Sequence, residues 1–197
     1  MRSFIFDVNG IFLISKHIHS RMERKLGVKP DQFLPVLSSI MDQVRRPNSP
    51  SCYQLFLPFL QQWGIRTSEK EFFQFWFSDE TINTEILTYA QKLKEQGYTI
   101  FFLSNNFKER TSYYKQNFPN LFNVANKAYF SWETGYIKPD PRAWENIFQE
   151  QSINPTNCLY FDDSSKNITV AKSLGIHAYQ YANVQKTKAL IEKFISP

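Results

Sequence analysis

Three short apolar runs limit what this chain can fold into more than any other feature. They lie far apart in the 197 residues, and polar residues follow each of them directly: Ser3–Val8, Tyr98–Leu103 and Cys158–Phe161. Nearly continuous apolar runs of this length are typical of parallel strands that helices cover on both faces. The sequence therefore predicts an α/β protein built on a buried parallel sheet.

Weaker strand patterns and a series of helical patterns occur between and after these runs. The strands are predicted at Lys127–Ser131 and Ile176–Tyr181, and the helices at Asn83–Gln96, Asp140–Gln151, Ser164–Leu174 and Val184–Ile195. Gly97 and Gly175 directly follow two of the helices, and glycine commonly ends a helix at this position. The alternation of strand and helix over residues 83–197 predicts a doubly wound sheet.

Residues 16–80 interrupt this alternation. Consecutive helical patterns occur there, separated by glycine or proline: His17–Leu26, Asp31–Val44, Tyr53–Trp63 and Ser68–Phe77. The aromatic stretch at residues 72–77 is better explained by packing within a small helical bundle than by a binding surface. We expect a helical domain of residues 15–81 that is inserted into an α/β core of residues 1–14 and 82–197.

The composition excludes several classes of protein. Hydrophobic residues make up 42% of the chain, and the basic residues behind its net charge of +5 are scattered, which argues against a nucleic-acid partner. No apolar run approaches the roughly 20 residues of a membrane span. Two cysteines are too few for a disulfide framework. We expect a cytoplasmic protein with no nucleic-acid or membrane partner, while the sequence leaves its oligomeric state open.

Polar residues that could carry chemistry follow four of the predicted strands. These segments are Asp7-Val8-Asn9-Gly10, Ser104-Asn105-Asn106, Gly135–Pro141 and Asp162-Asp163-Ser164. Ligands of an open parallel sheet bind outside the carboxyl ends of its strands. We therefore expect the four segments to line one crevice.

The predicted crevice contains the carboxylates of Asp7, Asp162 and Asp163. Carboxylates that share a partly buried site repel one another, and a bound cation relieves that repulsion. A set of oxygen ligands favours Mg²⁺, which commonly also binds phosphate oxygens. Lys138 and Ser104 supply a positive charge and a hydrogen-bond donor for the same anion. The crevice thus predicts a Mg²⁺ cofactor and a small phosphorylated substrate.

These segments resemble the four motifs of the haloacid dehalogenase-like (HAD) hydrolase superfamily, which occur in this order at the ends of the corresponding strands. The matching segments are Phe6–Gly10, Leu103–Asn105, Lys138–Pro141 and Tyr160–Ser164, the last followed by Asn167, Ala171 and Gly175. A helical cap inserted after the first strand is also a trait of the superfamily, so the resemblance covers the whole chain. Any one motif alone would be a weak indication of the superfamily. The resemblance rests on all four motifs occurring in this order.

The resemblance implies which residues attack the substrate and hold the metal. Asp7 would be the nucleophile and would form an aspartyl-phosphate intermediate, which splits one difficult step into two. Asp7, Asp162, Asp163 and the backbone carbonyl of Asn9 would bind Mg²⁺.

Further residues would bind the substrate. By the same resemblance, Ser104, Asn105 and Lys138 would orient the transferring group and stabilise its charge, and the cap would exclude water and select the substrate. Arg45 and Arg46 would either bind an anionic group of the substrate from the cap or form a solvated helix end.

Asn9 departs from the pattern that the resemblance implies for phosphatases. The family phosphatases carry an aspartate here, which protonates the leaving alcohol and later activates water, whereas an amide does not titrate near neutral pH. Such general acid–base catalysis is typically worth about 10²–10⁴ in rate.

Three interpretations of Asn9 remain open. The first is a weak or specialised phosphatase whose substrate has a good leaving group. The second is a haloacid dehalogenase, which needs neither the second aspartate nor a metal, although the retained Asp162–Asp163 pair argues against it. The third is a protein that binds phosphate or a partner without catalysis.

Overall fold

A five-stranded parallel sheet forms the centre of the computed structural model, which describes residues 2–16 and 18–196. The strands of the described residues are β1 (Ser3–Phe6), β2 (Leu13–Ile14), β3 (Thr81–Ile82), β4 (Thr99–Ser104), β5 (Lys127–Phe130), β6 (Cys158–Asp162) and β7 (His177–Gln180). The central sheet has the order β5-β4-β1-β6-β7, and each of its pairings is parallel. The predicted α/β fold class is confirmed.

The winding of the sheet places a crevice beside β1. From β1 the chain proceeds through β4 to β5 in one direction, and then crosses to β6 and β7 on the other side of β1. Ligands of such sheets bind at the point where the winding direction reverses, outside the carboxyl ends of the strands. Asp7 follows β1 at this point, and Asp162 is the last residue of β6.

Helices cover both faces of the sheet, which explains why the strands are apolar throughout. Phe4 and Phe6 of β1 pack into a hydrophobic cluster on one face, together with Phe102. Ile5, between them in sequence, packs into a separate cluster on the other face with Trp144. Because successive side chains of a strand point to opposite faces, burial on both faces removes the alternation of polar and apolar residues.

The helices agree with the predicted ones where the sequence is amphipathic. They are α1 (Ile18–Leu26), α2 (Pro30–Val44), α3 (Cys52–Gln62), α4 (Glu69–Phe77), α5 (Thr84–Glu95), α6 (Lys108–Asn117), α7 (Pro119–Val124), α8 (Ser131–Thr134), α9 (Arg142–Gln151), α10 (Ser165–Ser173) and α11 (Val184–Ile195). The predicted first residue of α1, His17, lies outside the described residues. No sequence pattern predicted α6, α7, α8 or the short strands β2 and β3.

The helices α1–α4 share a hydrophobic cluster that is distinct from the two clusters of the sheet. It is built largely from aromatic side chains, among them Phe33, Phe56, Phe72 and Trp76, and Phe107 of the core also belongs to it. Where the chain leaves the core and returns to it, β2 and β3 pair antiparallel. That residues 15–81 act as a separate cap domain stays a prediction.

Local capping explains where two helices of this block begin. The Ser51 side chain accepts a hydrogen bond from the backbone N–H of Gln54, whose own side chain accepts one from the Ser51 N–H. Ser68 and Glu71 form the same reciprocal pair before α4. Such capping boxes satisfy backbone donors that the first turn of a helix leaves without partners.

No helix among the described residues has both the length and the apolar character that crossing a lipid bilayer requires.

Candidate active site

The four predicted segments line a single crevice of about 680 Å³ at the carboxyl edge of the sheet. Its lining includes residues from the strand ends, from the loop before α9 and from the helical block: Asp7, Asn9, Gly10, Ile14, Ser15, Arg45, Asn105, Arg110, Lys138, Pro139, Asp163, Ser164, Lys166 and Asn167. This volume is in the range of small-molecule sites.

Three carboxylates converge in this crevice. One oxygen from each of Asp7, Asp162 and Asp163 lies within 4.8 Å of the others. Asp7 and Asp162 are buried, whereas Asp163 is exposed to solvent. The prediction that separate segments bring these side chains together thus matches the geometry.

Lys138 lies beside two of the carboxylates and is almost fully buried, with 1% of its side chain exposed. Its Nζ is 2.6 Å from Asp162 Oδ2 and 3.3 Å from Asp7 Oδ1, and it donates a hydrogen bond to the Leu103 carbonyl at 2.7 Å. Asn105 fixes the Lys138 backbone at both ends, since its Oδ1 accepts from Lys138 N at 2.8 Å and its Nδ2 donates to Lys138 O at 2.7 Å. Asn105 therefore positions the loop that carries the lysine.

The Asp162 carboxylate is enclosed by donors. It accepts hydrogen bonds from Lys138, from the Ser164 N–H at 2.8 Å, from Asn167 Nδ2 at 3.0 Å and from the Tyr160 hydroxyl. Burial alone would raise the pKa of Asp162, but Lys138 and these hydrogen bonds outweigh burial and lower the pKa. Asp162 is therefore held as an anion.

Asp7 and Asp163 have pKa values that are shifted in the opposite direction. Burial, opposed by Lys138 and reinforced by Asp162, raises the pKa of Asp7 to about 6. Partial desolvation of its carboxyl group by the crevice and the neighbouring Asp162 also raise the pKa of Asp163, although the residue as a whole is exposed. Both shifts show that the site disfavours the ionised carboxylates, a cost that a bound cation would relieve.

Gly10 makes room for the Asp163 carboxylate. A Cβ atom at Gly10 would lie 2.5 Å from Asp163 Oδ2, and Gly10 has a positive φ of 79°. Residues with a side chain rarely adopt this conformation. The glycine of the first segment thus permits close approach of the acidic segment that follows β6.

Asn9 is bound to a buried polar network that no sequence pattern indicated. The Tyr114 hydroxyl donates to Asn9 Oδ1 at 2.7 Å, and Asn9 Nδ2 donates to Ser104 Oγ at 3.4 Å. Arg110 donates to Glu80 through Nε at 2.8 Å and forms an ion pair with it at 2.5 Å. Tyr114 and Arg110 lie on α6, whose polar sequence gave no helical pattern, and Glu80 precedes β3.

The two candidate arginines of the helical block lie at different sites. Arg45 lines the crevice with Asp7, and burial and the neighbouring Arg110 lower its pKa. Arg46 lines a second cavity, next to Phe73 and Trp132, and its Nε donates to the Asp42 carbonyl at 3.1 Å. The structure thus brings Arg45, but not Arg46, to the predicted crevice.

A family model described as a haloacid dehalogenase-like hydrolase matches residues 1–175. The chain belongs to this family of hydrolases. The family assignment confirms the predicted superfamily and the predicted class of enzyme.

Among curated relatives, D-ribitol-5-phosphate phosphatase from Bacteroides thetaiotaomicron is 32% identical over 63 residues, which are 32% of this chain and 31% of that enzyme. Phosphatase MT3486 from Mycobacterium tuberculosis is 25% identical over 111 residues, 51% of each chain. The chain therefore matches about a third to a half of the length of these two relatives.

Solved structures of this family share the fold over almost the whole chain. The crystal structure of a HAD family enzyme from Bacteroides thetaiotaomicron superposes with a TM-score of 0.83 at 22% identity, covering 97% of this chain and 98% of that chain. The wild-type form of that enzyme in complex with magnesium and inorganic phosphate has a TM-score of 0.79 at 23% identity, covering 92% and 94%. At this level of identity the likeness shows the α/β fold.

Proposed function

We propose that this hydrolase is a magnesium-dependent phosphatase that transfers the phosphoryl group of a small phosphorylated metabolite to Asp7. The observation that carries the proposal is the convergence of the Asp7, Asp162 and Asp163 carboxylates beside the buried Lys138. Such a site offers oxygen ligands for a hard cation and a fixed positive charge for an anion. The names of the two curated relatives support a phosphatase.

The residues present fit Mg²⁺. The donor set consists of oxygen atoms, and Gly10 leaves space that a side chain would take from Asp163. Asp7, Asp163 and the backbone carbonyl of Asn9 would hold the ion, with Asp162 completing the set. Asp162 already accepts hydrogen bonds from Lys138, Ser164 and Asn167, so we assign it chiefly to orienting Lys138. When bound, the ion supplies Lewis-acid stabilisation of charge on the phosphoryl oxygens.

The residues of the chain then have distinct tasks in two successive transfers. An Asp7 carboxylate oxygen attacks phosphorus, and the bond from phosphorus to the leaving oxygen breaks. Lys138 and Ser104 stabilise the negative charge on the transferring group, while Asn105 holds the Lys138 loop. Water then attacks the aspartyl phosphate, which releases inorganic phosphate and restores Asp7.

The helical block of residues 15–81 is proposed to act as a cap over this crevice. Arg45, on the C-terminal side of α2, contributes a guanidinium to the crevice lining and would bind the anionic substrate from that side. We assign no role in substrate binding to Arg46, because it lines the other cavity.

A haloacid dehalogenase is the weaker alternative. An enzyme that displaces halide needs no metal, and the cluster of Asp7, Asp162 and Asp163 would then destabilise the fold without serving the reaction. The cluster of carboxylates therefore favours phosphoryl transfer.

Turnover of para-nitrophenyl phosphate with and without Mg²⁺ tests the proposed phosphatase. We expect hydrolysis by the native chain that requires Mg²⁺, and for Asp163→Asn a requirement for roughly 10–100-fold more Mg²⁺, a magnitude typical of lost metal-site contacts. Asp140→Asn, which alters a half-buried carboxylate paired with Arg142, is the matched control and should behave as the native chain. Mg²⁺ and phosphate binding without any turnover would instead indicate a binding protein.

Gly10→Ala is expected to weaken Mg²⁺ binding by roughly tenfold or more, because the added Cβ displaces the Asp163 carboxylate. Isothermal calorimetry measures this affinity directly. Gly97→Ala is a suitable control, since Gly97 has a similar positive φ of 89° but nothing within 4 Å of the added Cβ. Equal Mg²⁺ affinity in the two variants would show that Asp163 does not need the space beside Gly10.

A further inference from the structure

The amide of Asn9 is held in one orientation. Its Oδ1 accepts a hydrogen bond from the Tyr114 hydroxyl at 2.7 Å, and its Nδ2 faces Ser104 Oγ at 3.4 Å. Tyr114 is fully buried, so its hydroxyl cannot exchange this partner for bulk water. Asn9 itself lines the crevice that Asp7 also lines.

Glu80 and Arg110 explain why the Tyr114 proton is directed to Asn9. The Tyr114 hydroxyl is 3.4 Å from Glu80 Oε1, farther than from Asn9 Oδ1. The same Glu80 oxygen already accepts from Arg110 Nε at 2.8 Å and Nη2 at 2.5 Å. The Tyr114 hydroxyl has a single proton to donate, and it donates that proton to the nearer acceptor, Asn9 Oδ1. With Oδ1 occupied in this way, Nδ2 bonds to Ser104 Oγ through one N–H, which leaves its second N–H for a ligand in the crevice that Asn9 lines.

An amide fixed in this way can donate a hydrogen bond but cannot give up a proton near neutral pH. We propose that Asn9 is a fixed hydrogen-bond donor to the leaving-group oxygen, and that the substrates are phosphates whose leaving group is a weak base, such as acyl or aryl phosphates. Tyr114 is the positioning residue that holds Asn9 in this orientation. This inference rests on the proposed phosphatase and specifies its substrate class.

The chemistry balances without an acid. The bond between Asp7 and phosphorus forms as the bond from phosphorus to the leaving oxygen breaks, and that oxygen departs with the electron pair as an anion. The Asn9 N–H stabilises the developing charge and keeps its proton. In the second transfer, the proton of the attacking water passes to the phosphate product. A strongly basic alkoxide would have to leave unprotonated, which is why alkyl phosphates should react poorly.

A series of substrates with increasingly basic leaving groups tests this inference. We expect kcat/KM of the native chain to fall by roughly 10³-fold or more from para-nitrophenyl phosphate through phenyl phosphate to glycerol phosphate, since no acid assists departure. Asn9→Asp should raise the ratio of kcat/KM for glycerol phosphate to kcat/KM for para-nitrophenyl phosphate by about 10²-fold or more, because a carboxyl group at this position can protonate a basic leaving oxygen. The Tyr114 hydroxyl would donate to the new carboxylate as it does to the amide.

Tyr114→Phe tests the positioning of Asn9. We expect kcat for para-nitrophenyl phosphate to fall about tenfold with KM nearly unchanged, because the freed amide no longer presents its N–H to the leaving oxygen. Tyr113→Phe is the matched control on the same helix, since the Tyr113 hydroxyl donates to the Phe77 carbonyl and not to Asn9.

The outcomes separate this inference from the proposed function. Native turnover that is equally fast across the series would overturn the assignment of Asn9 and leave the phosphatase intact. Similar effects of Tyr114→Phe and Tyr113→Phe on kcat would overturn the positioning role. Absence of Mg²⁺-dependent turnover on every substrate, for the native chain and for Asn9→Asp alike, would overturn the proposed phosphatase itself.

Discussion

Replacing Asp7 with asparagine is expected to abolish phosphatase turnover and, without Mg²⁺, to stabilise the fold. An amide does not replace a carboxylate as the nucleophile, and loss of a nucleophile costs on the order of 10⁶-fold in kcat in well-studied hydrolases. The gain in stability has an electrostatic cause, because burial, partly opposed by Lys138, raises the pKa of Asp7 from 3.8 to about 6. The native fold therefore carries a charge that its surroundings disfavour.

The sign of the pH dependence follows from this raised pKa. Between pH 4 and pH 6, roughly, the folded chain binds more protons at Asp7 than the unfolded chain does, so the free energy of unfolding falls as the pH rises through this window. Above it, the ionised carboxylate costs the fold roughly 2 to 3 kcal/mol. The amide of the Asp7→Asn variant carries no charge, so the substitution should remove this cost together with its pH dependence.

Urea unfolding at pH 5 and pH 7 in the presence of a chelator measures both effects. We expect the unfolding midpoint of Asp7→Asn to exceed that of the native chain at pH 7, and to exceed it by clearly less at pH 5. Asp140→Asn should give no such gain, because the Arg142 guanidinium lowers the pKa of Asp140 in the fold. A lower midpoint for Asp7→Asn at pH 7 would mean that the ion pair between Lys138 and Asp7 stabilises the fold by more than burial of the Asp7 charge destabilises it.

The sheet was predictable because burial on both faces requires nearly continuous apolar residues in the local sequence. Phe6 and Ile5 are adjacent and pack into different clusters, so both faces of the strand select apolar residues. The helix α6 shows no recognisable apolar pattern, because only Thr111 and Tyr114 of its ten residues are buried and the rest is largely polar. A helix that buries one narrow strip has too few apolar residues to show a period.

The candidate site was predictable at the strand ends and not beyond them. Asp7 and Asp162 close two neighbouring parallel strands, so topology alone brings them together. Glu80 and Arg110 are thirty residues apart and meet beside the crevice, where such a charged pair has no local signature in the sequence. Arg45 and Arg46 are equivalent in sequence, but adjacent residues of a helix end point about 100° apart, and only the fold decides which faces the crevice.

Replacing Lys138 with methionine is expected to lower the free energy of unfolding by about 3–5 kcal/mol in the absence of Mg²⁺ and to remove turnover. The Lys138 ammonium is buried between the Asp7 and Asp162 carboxylates, at 3.3 and 2.6 Å. Methionine has nearly the length of the lysine side chain and fills the same space. The loss of stability therefore comes from leaving the two buried carboxylates without their cation. Removal of the lysine charge should also raise the pKa of Asp7 further, since Lys138 is the main influence that lowers this pKa.

A double-mutant cycle separates the charge from the packing. If the uncompensated Asp162 carboxylate causes the loss, Lys138→Met combined with Asp162→Asn should recover much of the stability, because the introduced amide could still accept from the Ser164 N–H without carrying a charge. Turnover should not recover, since the positive charge beside the transferring phosphoryl group is absent from both variants. If the double variant is as unstable as Lys138→Met alone, Lys138 stabilises the fold chiefly through its hydrogen bond to the Leu103 carbonyl. The ion pair with Asp162 would then contribute to catalysis and not to stability.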